Sequence, residues 1–522
     1  MSWTLTVRSG RLLLVPGAIL TFLLLPKDGR GQELGVGCEI ISARTFQRTV
    51  LPGSQSIVWM GTPNLLCADG ASVRADSAIS YSESGRNQLM GNVVFRDATR
   101  ELRATEADHY TVQGQLFARG NVVFKDLGTG REIRGDTLTL LEAGDSRPVD
   151  QLTVRGRPAS ALLPREDSTA GPSPGGAGTS GPGVSPYRIT ARVLRFEGDR
   201  FLWGDADVEV ERDSLLITSD SLAFDREAGT LVFTGGARME EEGAVFEGER
   251  MDVRLQDDVV DGIEIRGDGR LVNEDIELVA PWISITIEDE KIQQILATGE
   301  EGSSRDAQPT PHLVSQQFFI VGDSLDIQSP NEVLDRVNAV GRAWGQTFAE
   351  GDPLPPLDMR PSQRLAEGPI SGRVLTSDWI EADEIEVLFG TVGGGGLGAA
   401  RAGEAVPDSL ASTAIAGTGT DQRGEYFVTQ LTGNRSARTL YRTPPEEEGD
   451  VPVNSALAAA AQAESPQVDR EHWPLSYILA DWIAVYLSEI GEVQKIEAGG
   501  SVLGLQLDPE TGTAATPPED SL

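Results

Sequence analysis

LMGNVVFRD (Leu89–Asp97) and LFARGNVVFKD (Leu116–Asp126) share one phrase, GNVVF followed by a basic residue and Asp. Their glycines, Gly91 and Gly120, stand 29 residues apart (120 − 91). Within the phrase, polarity alternates. Val93 and Phe95 share one side of an extended strand, and Val94 and Arg96 share the other. The wider pattern apolar-x-apolar-x-Gly-x-apolar returns as LTVRGRP (Leu152–Pro158), LVFTGGA (Leu231–Ala237), IEIRGDG (Ile263–Gly269), VNAVGRA (Val337–Ala343) and IEAGGSV (Ile496–Val502). Gly204, Gly235, Gly267 and Gly299 follow one another at 31, 32 and 32 residues. A fixed period of this size marks stacked repeats, in which no unit closes a core alone.

A second phrase falls between the glycines: a small residue, Asp, then alternating apolar positions. It reads ADHYTV at Asp108, GDTLTL at Asp136, SDSLAF at Asp220, GDSLDI at Asp323 and ADWIAV at Asp481. ADSAISY from Ala75 slips the phase, and APWISITI from Ala280 lacks the Asp. Each unit therefore carries two strands, one after the Asp and one around the Gly, each burying a single face. A lone strand pair cannot bury that face, so consecutive units must stack edge to edge around one apolar interior. Gly at the repeated site predicts a bend or bulge. The repeated Asp is expected to hydrogen-bond the turn at its own strand start. Helical periodicity is nearly absent. Its best candidates are EADHY (Glu106–Tyr110) and the alanine-rich NSALAAAAQAE (Asn454–Glu464).

The chain has 522 residues, with 44 Lys plus Arg against 80 Asp plus Glu, for a formal charge of −36. Such a surface repels nucleic acid and anionic membrane, because it offers no basic patch to neutralise phosphates. Arg8 and Arg11 precede an apolar run from Leu12 to Leu25, which is shorter than the roughly 18–20 residues that span a bilayer. Gly29 and Gly31 place small residues before Gln32. We read residues 1–31 as a secretory signal, with a retained N-terminal anchor as the alternative. The mature chain is then expected in an exported compartment. An oxidising compartment would allow a disulfide between Cys38 and Cys67, the only two cysteines. Two cysteines and three separated histidines, His109, His312 and His472, support no metal site, and no cofactor is expected.

Pro/Gly-rich or acidic insertions interrupt the rhythm and read as loops or disorder. The expected organisation is a signal at 1–31, a first β block at 32–157, a linker at 158–186 and a second block at 187–348. A linker at 349–371, divergent β repeats at 372–507 and an acidic tail at 508–522 complete it.

GNVVFRD, GNVVFKD, KIEAGGSV, the repeated Ala-Asp starts and the export signal together resemble the OstA/LptA-like periplasmic family. That family includes the soluble bridge protein of lipopolysaccharide transport and the N-terminal domain of its outer-membrane translocon. The resemblance is best over 70–157, good over 187–345 and faint after 372. It implies an all-β fold, a tandem OstA-like β-jellyroll of stacked V-shaped strand pairs. It also implies a hydrophobic groove for the acyl chains of lipopolysaccharide, and open edges that join similar domains or copies end to end.

The residues expected to line such a groove are Val93, Phe95, Val122, Phe124, Leu138, Leu140, Leu222, Phe224, Phe233, Ile283, Ile285 and Leu325. An acyl chain would bind there through apolar area, at roughly 0.8 kcal/mol per buried methylene. The alternative is that these side chains close a core against each other in an exported scaffold without a lipid ligand. Enzymatic chemistry has little support. The Gly-x-Ser-x-Gly match at Gly171, Ser173 and Gly175 is flanked by prolines rather than a strand-turn-helix frame. The run Gly393–Gly396 has no Lys-Ser/Thr partner. A polysaccharide-acting enzyme would need converging carboxylates with a basic or aromatic partner, which the sequence does not show.

Overall fold

The computed structural model describes residues 33–34, 38–53, 55–67, 70–144, 146–164, 185–241, 243–256, 259–273, 276–289, 291–299, 310–315, 318–330, 334–347, 360–363, 378–391, 426–442, 475–488 and 493–507. The expected signal segment, the Asn454–Glu464 helix and most of the 158–186 and 349–371 linkers lie outside these residues, as does the tail from 508. Among the described residues the chain is all-β, apart from a helical turn at 361–363.

Short strands open the array: β1 (Glu33–Leu34), β2 (Cys38–Ser42), β3 (Thr45–Val50), β4 (Ser56–Gly61), β5 (Asn64–Cys67), β6 (Ser72–Arg74) and β7 (Ser77–Tyr81). Longer strands follow: β8 (Arg86–Arg96), β9 (Arg100–Tyr110), β10 (Gln115–Asp126), β11 (Glu132–Leu141), β12 (Gln151–Leu163) and β13 (Tyr187–Glu197). They continue as β14 (Phe201–Arg212), β15 (Leu215–Asp225), β16 (Thr230–Glu241), β17 (Ala244–Gln256), β18 (Val259–Val272) and β19 (Ile276–Glu288). Next come β20 (Lys291–Thr298), β21 (His312–Ser315), β22 (Phe318–Val321), β23 (Ser324–Gln328) and β24 (Arg336–Thr347). The last are β25 (Trp379–Thr391), β26 (Tyr426–Arg442), β27 (Leu475–Leu487), β28 (Val493–Gly499) and β29 (Leu503–Leu507).

From β8 to β19 every strand pairs antiparallel with the next. Each of these pairings shifts register near its middle, so each long strand has two halves joined at a bend. The halves build two wings of a V. Wing A carries the end of β8, paired with β6, and then β5, β2 and β1. Wing B carries the start of β8, paired with β7, and then β4 and β3. Where one rung is split in two, β20 continues wing B and β21 continues wing A, and β23 and β22 repeat the division. The array ends with β28 on wing B and β29 on wing A, both paired to β27. Among the described residues, the last partners of both wings are therefore short strands with an open edge at each end.

The bends are glycine-led bulges. Gly91–Asn92, Gly120–Asn121, Gly235–Gly236, Gly267–Asp268 and Gly341–Arg342 all have positive φ at both residues. This left-handed pair costs L-residues energy, which explains why Gly leads it. Two expected positions are corrected. Gly204 precedes its bulge, which falls at Ala206–Asp207, and Gly299 follows the end of β20 without a positive φ. The helical reading of Glu106–Tyr110 is also overturned, because that segment is the end of β9 and pairs on both sides. Cross-strand hydrogen bonding and the buried Ala107 outweigh its helix-favouring composition.

One contiguous cluster of buried apolar side chains fills the space between the wings from Val58 to Leu487. Cys38 and Cys67, directly opposed in β2 and β5, are joined by a disulfide. Two smaller clusters lie on the outer face of wing A, one of Phe319, Val321 and Trp344, the other of Trp379, Leu440 and Leu475. Between them the buried Glu381 accepts from Ser362 Oγ at 2.8 Å.

Candidate apolar groove and its mouth

The twelve expected lining residues all belong to the interior. Val93, Val122, Phe124, Leu138, Leu140, Leu222, Phe233, Ile283, Ile285 and Leu325 are buried members of the central cluster, and Phe95 and Phe224 are half-buried against it. Wing A supplies Val93, Phe95, Val122 and Phe124, and wing B supplies the others. Most touch neighbouring side chains rather than open space. Phe224 and Phe233 differ, because they line a cavity of about 120 Å³ between the wings.

That cavity lies between β13 and β18. Wing A contributes Ile189, Val210, Leu215, Ile217 and Met239, and wing B contributes Phe196, Leu202, Phe224, Leu231, Phe233 and Ile263. The alternation in YRITARVLRFE and FLWGDADVEV places Ile189, Phe196, Leu202 and Val210 inward, a signal that the reading of the repeated phrases passed over. Its apolar walls offer their area to an apolar guest.

Charged groups gather at the tips of the wings around the mouth. Arg131 immediately precedes β11 on wing A and reaches across to wing B. There its Nη2 lies 3.3 Å from Asp199, and its guanidinium sits 5.1 Å from the centroid of Phe196. The same nitrogen lies 3.4 Å from Asp126 on its own wing. Its Nε is buried without a hydrogen-bond partner. One step along the array, Arg100 of wing A meets Asp150 of wing B at 2.8 Å. The two arginines thus tie the wings together across the open side of the V. Arg200, Arg226 and Glu241 complete the rim. The Arg200 pair holds the Asp225 carboxyl below the ordinary carboxylate range.

The repeated Asp is not primarily a turn former. Asp76, Asp220, Asp323 and Asp481 lie against Gly91, Gly235, Gly341 and Gly500 of the neighbouring strand, close enough that a Cβ there would collide with them. Asn92 Nδ2 donates to Asp76 at 2.9 Å, and Arg342 pairs with Asp323 at 2.6 Å. Asp108 is different, taking Arg86 as its partner at 2.8 Å. At these positions the two repeated phrases are therefore the two sides of one corner contact.

No helix among the described residues is long and apolar enough to cross a membrane. Neither a family model nor a curated protein matches the chain. Among solved structures, it is similar to the crystal structure of LptH, the LptA homologous periplasmic component of the conserved lipopolysaccharide transport device from Pseudomonas aeruginosa. The identity is 20%, the match covers 31% of this chain and 79% of that chain, and the TM-score is 0.15. A likeness of that size assigns no residue a role.

Proposed function

We propose that this chain is a non-enzymatic, exported lipid-binding and bridging protein that holds acyl chains of lipopolysaccharide or a related glycolipid between its two wings. The observation that carries the reading is the interior itself. One apolar lining runs the length of the array, opens into a cavity between β13 and β18, and ends at both extremities in strand edges that are unpaired among the described residues. The phrases around Gly91, Gly120 and Gly499, which resemble the OstA/LptA-like family, support the periplasm as the compartment. Open edges support partners that add strands, either other transport components or further copies of this chain.

The test is native mass spectrometry of the protein purified from its own envelope, followed by lipid extraction. Co-purified glycolipid is the expected result. Absence of any lipid, together with no binding of lipopolysaccharide in vitro, would leave the scaffold reading in its place. Photo-crosslinking to lipid, compared between wild type and Phe95→Ala, checks the lining. Phe95 is half-buried, so the truncation should leave the fold intact while reducing crosslinking several-fold. Unchanged crosslinking would place the lipid elsewhere.

A further inference from the structure

We infer that the cavity between β13 and β18 is a site for a single-chain anionic amphiphile. The alkyl tail inserts between the wings, and the acidic head is received by Arg131 at the mouth. This rests on the lipid-binding reading above and sharpens it to one place, one chain and one head charge. Three observations carry it. The cavity walls are apolar on both wings, with Ile217 and Leu231 facing each other's side of the void. Arg131 stands at the edge of that void and is the group that joins the wings there. Its hydrogen bonds to Asp126 and Asp199 are long, at 3.4 and 3.3 Å, and its buried Nε has no acceptor.

Buried donors are almost always satisfied, so an orphaned guanidinium nitrogen beside an apolar void calls for an acceptor. A carboxylate or phosphate monoester fits the planar donor set, and a charge-assisted bond to it is stronger than one to a neutral head. Such a head would replace Asp199 as the partner of Arg131, which releases one tie between the wings as the tail enters. A neutral head offers no charge to Arg131 and would leave the Asp199 tie in place.

Decanoate and decanol separate the tail from the head. Binding of each to the full chain is measured by competition against a dansylated undecanoic acid, whose fluorescence reports the apolar site. Wild type should bind decanoate about tenfold or more tightly than decanol. Arg131→Gln should abolish that preference while keeping decanol binding. Leu231→Trp fills the cavity and should remove both. Val260→Trp, a substitution at a second half-buried lining position, serves if the first variant does not fold, as judged by circular dichroism. Saturable binding that survives a folded cavity-filling variant overturns the cavity as the site. So does the absence of saturable binding in wild type. A preference for decanoate that persists in Arg131→Gln overturns the head assignment. Glycolipid found by mass spectrometry while decanoate fails to bind would leave the transport reading standing and remove only this site.

Discussion

Gly235 and Gly236 sit side by side with positive φ, yet they do different work. A Cβ on Gly235 would lie 2.6 Å from the Cβ of Asp220 on the preceding strand, whereas a Cβ on Gly236 would meet nothing within 4 Å. Gly236→Ala should therefore cost only the left-handed backbone penalty, about 1–2 kcal/mol. Gly235→Ala adds a collision with a side chain that cannot swing away without opening the corner, and should cost ~3 kcal/mol in all. Urea unfolding followed by tryptophan fluorescence checks the order, and equal losses would mean that the corner yields. The same contact recurs at Gly91 with Asp76 and at Gly341 with Asp323, so the effect should repeat along the array. Nearby, Glu209 lies beside Glu211. Burial first, and then its neighbour, raises its pKa. Glu209→Gln removes that conflict and should raise stability at neutral pH by ~0.5 kcal/mol, a change a melting curve resolves.

Edge strands decide what the array can join. In β3 the residues opposite Val58 and Met60 are Arg48 and Phe46, so Phe46, together with Val50, belongs to the interior-facing side. Both are nevertheless exposed, at 43% and 65%, because no further strand among the described residues covers them. At the other end Leu503 and Leu505 of β29 are exposed on wing A. Apolar faces with free backbone edges favour strand addition. The full chain should form concentration-dependent end-to-end oligomers in sedimentation velocity, and Phe46→Glu with Val50→Glu should return it to monomer. Oligomers unaffected by the pair would place the contact elsewhere. Elements of this kind were legible where alternation and glycine coincide, as at GNVVFRD and GNVVFKD. They were less legible where a bulge uses other residues, as at Ala206–Asp207 and Arg435–Ser436, because nothing in those side chains announces a left-handed backbone. The partner of the repeated Asp was hidden for a different reason. Register between strands depends on tertiary pairing, and no local pattern shows that Asp220 will face Gly235. The groove residues were readable as inward-facing, but which of them border empty space depends on packing volumes across the two wings. Of the twelve, Phe224 and Phe233 line the cavity between β13 and β18. Arg131 carried no signal at all, since its role comes from Asp199 and Phe196, brought across the mouth by the fold.

Over the whole molecule, a charge of −36 acts against the many cross-strand ion pairs, and pH sets them against each other. Lys125 and then Arg134 hold Glu132 below its ordinary pKa, Arg200 does so for Asp225, and Lys495 for Glu497. Unfolded carboxyls titrate near pH 4, so a carboxyl depressed in the fold contributes stability that is complete above that range. This stability is lost as pH falls through the folded pKa. Glu209 has the opposite sign, since its raised pKa means that the folded state takes a proton more readily than the unfolded state. Self-repulsion also eases as pH falls from 7 toward the isoelectric point near 4.4. Stability should therefore rise from pH 7 to about 5 and drop steeply below about 4, with the crossover near the carboxylate range. Salt separates the two causes. At pH 7 it should raise the melting temperature by screening net repulsion over distances beyond about 10 Å, whereas short ion pairs on a sheet surface lose little. Below pH 4 the net negative charge is gone, and the same salt should leave the midpoint nearly unchanged or lower it. A melting temperature that falls steadily from pH 7 downward would show that the ion pairs of the wings outweigh the repulsion at every pH. The acidic surface would then be no burden to the fold.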